Sequence, residues 1–135
     1  MSFVIRDVRI FTGEEIIESG SILVQDGLIK EVGADINFTD APSISRPGHT
    51  LLPGLIDAHC HPYGDIKLLE QALRFGITTS MDMHNMPWEA NKLKKICAER
   101  KDVADLKSSG HAATIHNGWP SWITKRIDNP EVSWC

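Results

Sequence analysis

The stretch Pro53-Gly54-Leu55-Ile56-Asp57-Ala58-His59-Cys60-His61-Pro62 constrains this chain more than any other. An apolar run leaves a Pro-Gly turn, ends in two histidines spaced two apart, and is stopped by a second proline. Side chains alternate faces along a strand, so Asp57, His59 and His61 are expected on one face and Ala58 and Cys60 on the other. Two residues of strand rise span roughly 6–7 Å, which lets both imidazoles converge on one cation about 2.0–2.1 Å from each nitrogen. Pro62 has no N–H to give to a sheet ladder, which puts His61 at the strand's end. Strand ends are where α/β folds place their ligands. The stretch therefore points to a metal site. A His-x-His pair alone is a weak signal, and its context has to carry the argument.

That context is specific. Leu51-Leu52-Pro53-Gly54-Leu55-Ile56-Asp57-Ala58-His59-Cys60-His61-Pro62 resembles the first barrel strand of the amidohydrolase superfamily of metal-dependent hydrolases, over turn, strand and stop alike. Phe75-Gly76-Ile77-Thr78-Thr79 resembles the Gly-Val/Ile-Thr-Thr segment that leads into the family's second barrel strand. The resemblance implies a distorted (β/α)8 barrel with one or two divalent metals, usually zinc, at the C-terminal strand ends. It makes His59 and His61 metal ligands. It also implies a small-molecule substrate and a metal-activated water that attacks an amide, ester or cyclic amide carbon.

Length limits how much of that barrel is present. The chain has 135 residues, and a complete (β/α)8 barrel needs about 250. The expectation is an α/β protein in two parts. Residues 1–50 form partial β-sandwich strands, and residues 51–135 an incomplete barrel of about three β strands and two helices. In the family, later strands bring a lysine or glutamate, two further histidines and an aspartate that serves as general base. Those positions are expected beyond the end of this chain, so no catalytic base is assigned. The alternative function is a truncated, catalytically inactive relative with residual metal binding or an interaction role. Three parallel strands leave an open sheet edge, and self-association through that edge is the expectation.

Composition narrows the setting. A net charge of −4 with both signs interspersed gives no basic footprint for nucleic acid. Three cysteines, an odd number at irregular spacing, make no disulfide framework and read as reduced thiols. Met1 to Asp7 lacks the basic and apolar regions of a secretory signal, and no apolar run approaches a membrane span. A soluble, cytoplasmic protein is expected.

Along the chain, residues 3–10 read as a strand whose face Val4, Val8 and Ile10 is broken by Arg6. Ser21–Gln25 and Leu28–Val32 flank Asp26-Gly27, a hairpin signal suited to a type I′ turn. Residues 33–50 read as a connecting loop carrying a solvated His49. The run from Leu51 to Ala58 suits a parallel strand buried on both faces. Its Asp57 either orients an imidazole or ties down nearby donors. Asp65 to Phe75 reads as a helix capped by Asp65 and ended at Gly76, and 77–83 as the next strand. His84 comes just after that strand and either lines the site or caps a loop. Pro87 opens a second helix over 88–101 with Leu93, Ile96 and Cys97 inward. Residues 102–109 read as a polar connector and His111–His116 as a third strand. Those two histidines have opposite parity, and His116 at the C-terminal end is the better candidate to line the site. Trp119, Trp122 and Trp134 cover either core or a pocket rim.

Overall fold

The computed structural model describes residues 1–38, 40–112 and 119. The chain divides into two compact units, Met1–Pro53 and Gly54–Cys135.

The first unit is one mixed sheet. It contains β1 (Ser2–Phe11), β2 (Ile16–Gln25), β3 (Leu28–Gly33), β4 (Ser43–Ser45) and β5 (Thr50–Leu51). The order is β3-β2-β1-β4, with β5 also on β1. The first three strands pair antiparallel, while β4 and β5 run parallel to β1. Asp26 and Gly27 both hold positive φ, 52° and 78°, as a type I′ hairpin turn requires. Val4, Leu23 and Ile36 form one buried cluster, and Val8, Ile10 and Ile22 another. Each such side chain contributes about 1.5–3 kcal/mol on leaving water. Arg6, which breaks the apolar face, donates to the carbonyls of Ile36 at 2.6 Å and Phe38 at 3.0 Å and to Ser43 Oγ at 3.0 Å. A charge in mid-strand thus anchors the segment that returns to β1. That segment is not the plain loop expected over 33–50, because β4 and β5 lie in it. Ser-Ile-Ser and Thr-Leu are too short to show a period in sequence.

The second unit is a parallel α/β layer. Its elements are β6 (Leu55–Cys60), α1 (Ile66–Arg74), β7 (Ile77–Asp82), α2 (Pro87–Glu99) and β8 (Asp105–Ser108). The strand order is β6-β7-β8, all parallel. Asp65 caps α1 by accepting from the Lys67 N–H at 2.9 Å, which satisfies one of the donors a helix start leaves free. Leu69 of α1, Leu93 of α2, and Val103, Ala104 and Leu106 around β8 make the core, with Ile66, Ala72 and Cys97 packed on it.

Three expectations are corrected here. The run Leu51–Ala58 is not one strand, because Pro53-Gly54 separates β5 from β6. Nor is it buried on both faces: Leu55 and Ile56 are 52% and 66% exposed, since β6 pairs only with β7 among the described strands. The polar connector 102–109 instead contains β8, the third parallel strand. Of its four residues only Leu106 is buried, too little for alternation to register. The third strand expected over 111–116 falls largely on 113–118, outside the described residues, as do His116, Trp122 and Trp134.

Gly54 sets the entry to β6. A Cβ there would lie 2.2 Å from Thr78 Oγ1 on β7, so only hydrogen fits between the two strands. Immediately after it, the Leu55 N–H donates to the Gly76 carbonyl at 2.9 Å. Among the described residues no helix is long and apolar enough to cross a membrane.

Candidate metal centre at the strand ends

Because β6, β7 and β8 are parallel, their C-terminal ends all lie at one end of the sheet. His61 comes just after β6, His84 after β7, and His111 after β8. The strands thus bring three of the chain's histidines, together with His59 inside β6, to the end where α/β folds bind ligands.

His59 and His61 converge. Their Nε2 atoms lie 3.1 Å apart, with ring centroids at 5.0 Å and the planes at 78°. Two zinc ligands at about 2.0–2.1 Å in tetrahedral arrangement stand about 3.3 Å from each other. The pair therefore fits one small cation. Tyr63 stacks on the His61 ring at 5.6 Å and 17° and fixes its plane. His61 Nδ1 is buried with no hydrogen-bond partner, whereas a ligating imidazole ordinarily donates that N–H to an acceptor. Two nitrogens stand close enough to share a cation, and the support for one of their rings is half built. Among the described residues no group of three or more His, Cys, Asp or Glu is placed to hold a metal ion.

Asp57 takes the plainer of its two roles. Its Oδ1 accepts from the His59 backbone N–H at 3.1 Å, so it fixes main chain and touches neither imidazole through a described bond. The expected alternation also fails at this point. Asp57 pairs with Ser80 and Cys60 with Asp82, three steps on β6 against two on β7. The extra residue is a bulge that returns Cys60 to the side of Asp57. Both line a cavity of about 370 Å³ with His61, Leu69, Phe75 and Ser80. Burial first, then the charges of Asp57 and Asp82, push the Cys60 thiol up, against a hydrogen bond to Ser80. It stays protonated at neutral pH and is a poor ligand there.

His84 sits in a buried polar turn. Asp82 is fully buried and accepts from the His84 N–H at 3.2 Å and from Asn85 Nδ2 at 2.8 Å. The Asn85 Oδ1 takes the Met86 N–H at 2.9 Å. Burial foremost, then His111 and His61, lower the pKa of His84, with Asp82 opposing. Its Nδ1 accepts from the Ala112 N–H at 2.9 Å, and its ring meets that of His111 edge-on at 4.8 Å. Sequence singles out His84 but misses Asp82, Asn85 and the contact with His111. A carboxylate at a strand end reads as surface, and no spacing announces ring and backbone contacts made 27 and 28 residues away, to His111 and Ala112.

The fold corresponds to the N-terminal part of amidohydrolase structures. A solved amidohydrolase superposes with a TM-score of 0.70 and 23% identity over 83% of this chain and 32% of that one. For a dihydropyrimidinase from Brevibacillus agri NCHU1002 the TM-score is 0.64 and the identity 22%, over 97% of this chain and 31% of that one. In sequence, a dihydroorotase from Halalkalibacterium halodurans is 32% identical over 93 residues, 63% of this chain and 22% of that protein. No known family model matches the chain. The chain is a homologue of the amidohydrolase superfamily. It spans between about a tenth and a third of the length of the proteins it matches.

Proposed function

We propose that this chain carries the opening metal ligands, His59 and His61, of a metal-dependent hydrolase acting on an amide, ester or cyclic amide carbon. The observation that carries this reading is the 3.1 Å approach of the two Nε2 atoms at the C-terminal end of a parallel strand. Two imidazoles suit zinc among the divalent metals. When bound, zinc supplies a Lewis acid that polarises a carbonyl and makes water nucleophilic near neutral pH. The chain's own part is positional. His59 and His61 present two lone pairs to one point, Tyr63 holds the plane of His61, and Asp57 fixes the backbone entering His59. The general base is not assigned among the described residues. Free Cys60 and Cys97 suit a reducing, cytoplasmic setting. The partner is a small-molecule substrate, and the β6 edge, unpaired among the described strands, is the surface through which the chain would self-associate. Light scattering at micromolar concentration that returns a monomer would remove self-association.

A second reading is an inactive relative with residual metal binding or an interaction role, favoured by the absence of a third ligand among the described residues. One experiment separates the readings. Stoichiometric zinc that disappears in His59→Ala and His61→Ala, with turnover across a panel of amides and lactones, supports the hydrolase. Zinc without turnover supports the second reading with residual metal binding, and metal-free, inert protein sinks the hydrolase and leaves the inactive relative with an interaction role.

A further inference from the structure

We propose that Tyr63 is a positioning residue for His61, whose stacked ring does the orienting that a hydrogen-bond acceptor does for other ligating imidazoles. In its zinc-binding part the proposal rests on the ligand reading above. The turn that leaves β6 is closed by the Asp65 N–H, which donates to the Pro62 carbonyl at 2.8 Å. Its two central residues, Tyr63 and Gly64, both hold positive φ, 45° and 83°, the signs of a type I′ turn. The hairpin turn of the first unit has the same signs at Asp26 and Gly27. Aspartate tolerates the left-handed region because its short polar side chain bonds locally, and type I′ turns favour Asn, Asp or Gly there. Tyrosine has no such compensation. Of the three non-glycine residues with positive φ among the described residues, two are aspartates and the third is Tyr63. A bulky residue held in that region is strained, and such strain collects at functional sites.

Burial does not account for the tyrosine, which is 60% exposed. Its ring instead lies against His61, with centroids 5.6 Å apart and planes at 17°, within the range of offset stacking. His61 turns Nε2 toward His59 Nε2, so Nδ1 is the nitrogen that would ordinarily donate to an acceptor and fix the ring. That nitrogen is buried with no hydrogen-bond partner among the described residues. The His61 ring thus lacks the usual orienting hydrogen bond and has a stacked aromatic in its stead. Asparagine or glycine at position 63 would suit the turn better and leave the imidazole plane free to rotate. Turn geometry and ligand orientation make opposed demands on one residue, and tyrosine meets the second.

Zinc titration and thermal melting of the full chain test this without turnover. Tyr63→Asn, which suits the left-handed position, should weaken zinc binding about 10-fold, the lower end of the range for groups that orient a ligand. Tyr63→Phe keeps the ring and should bind zinc as the native chain does. A residue that only shaped the turn would leave zinc affinity unchanged in Tyr63→Asn, and that outcome overturns the proposal. Melting in EDTA measures the stack itself. In the native chain Tyr63→Asn relieves strain but loses the stack, whereas in His61→Ala there is no stack to lose. The melting temperature should therefore respond to Tyr63→Asn more favourably in the His61→Ala background, by about 2–6 °C. Equal responses in the two backgrounds would show that the rings are uncoupled and would equally overturn it. Zinc that fails to bind the native chain counts against the hydrolase reading, and the metal-free melting comparison then still decides this one.

Discussion

The second unit holds two histidine pairs whose circumstances are opposite. His59 and His61 point ring nitrogens at each other across 3.1 Å, from an edge strand whose apolar residues face solvent. His84 and His111 each spend one nitrogen on the backbone of Ala112, and His84 is 8% exposed above a fully buried Asp82. The first pair has nitrogens directed at a common point and little to hold them. The second is held firmly and has one nitrogen left on each ring. Imidazoles thus differ in what they offer according to what the backbone has already claimed, and the same residue type suits a cation in one place and is an oriented dipole in the other.

Zinc affinity should separate the pairs most sharply. Either His59→Ala or His61→Ala should weaken zinc binding by more than about 100-fold, beyond the range for supporting residues. His84→Ala should leave it within about 10-fold, read by competition with a chromophoric chelator. An equal loss from His84→Ala would merge the pairs into one site. Next in size is Asp82→Ala, which strips the acceptor from Asn85 Nδ2 and the His84 N–H inside the protein. It should cost about 1–3 kcal/mol in urea unfolding and blur the His84 ring signals, with no change at His59.

A smaller effect comes from pH. Burial and the neighbouring imidazoles lower the His84 pKa below its ordinary 6.5. The unfolded chain then binds more protons than the folded one between the lowered value and 6.5. Stability should fall as pH drops through that window and level off below it, by at most about 1.4 kcal/mol per pH unit for one proton. His84→Gln should flatten that part of the curve, and an unchanged slope would refute the assignment. Smallest of all, Ile56→Ala on the exposed edge should stay within about 0.5 kcal/mol, whereas Leu106→Ala in the core should cost about 2–5 kcal/mol. A large loss at Ile56 would mean that the edge is covered in solution.

How much of this is legible in the sequence depends on the range of the interactions. The Asp26-Gly27 hairpin, the Asp65 cap and the βαβ order are local, and turn chemistry and period reveal them. The convergence of His59 and His61 is legible too, although its route is not. Sequence alone implies perfect alternation, yet the bulge between Asp57 and Cys60 alters the faces while the imidazoles still meet. That bulge arises from pairing with β7, which no window on β6 contains. β8 escapes notice because Leu106 is its only buried residue. The part played by Ala112 is invisible because it comes from backbone atoms, which every residue type possesses.

The close approach at position 54 has one more implication. The gap between the first two barrel-type strands is gauged there by a single hydrogen, five residues upstream of the first imidazole. Widening it by one methyl group would work like a shim under a lever arm, swinging the far end of the strand and pulling the two ring nitrogens off their common focus without touching either one.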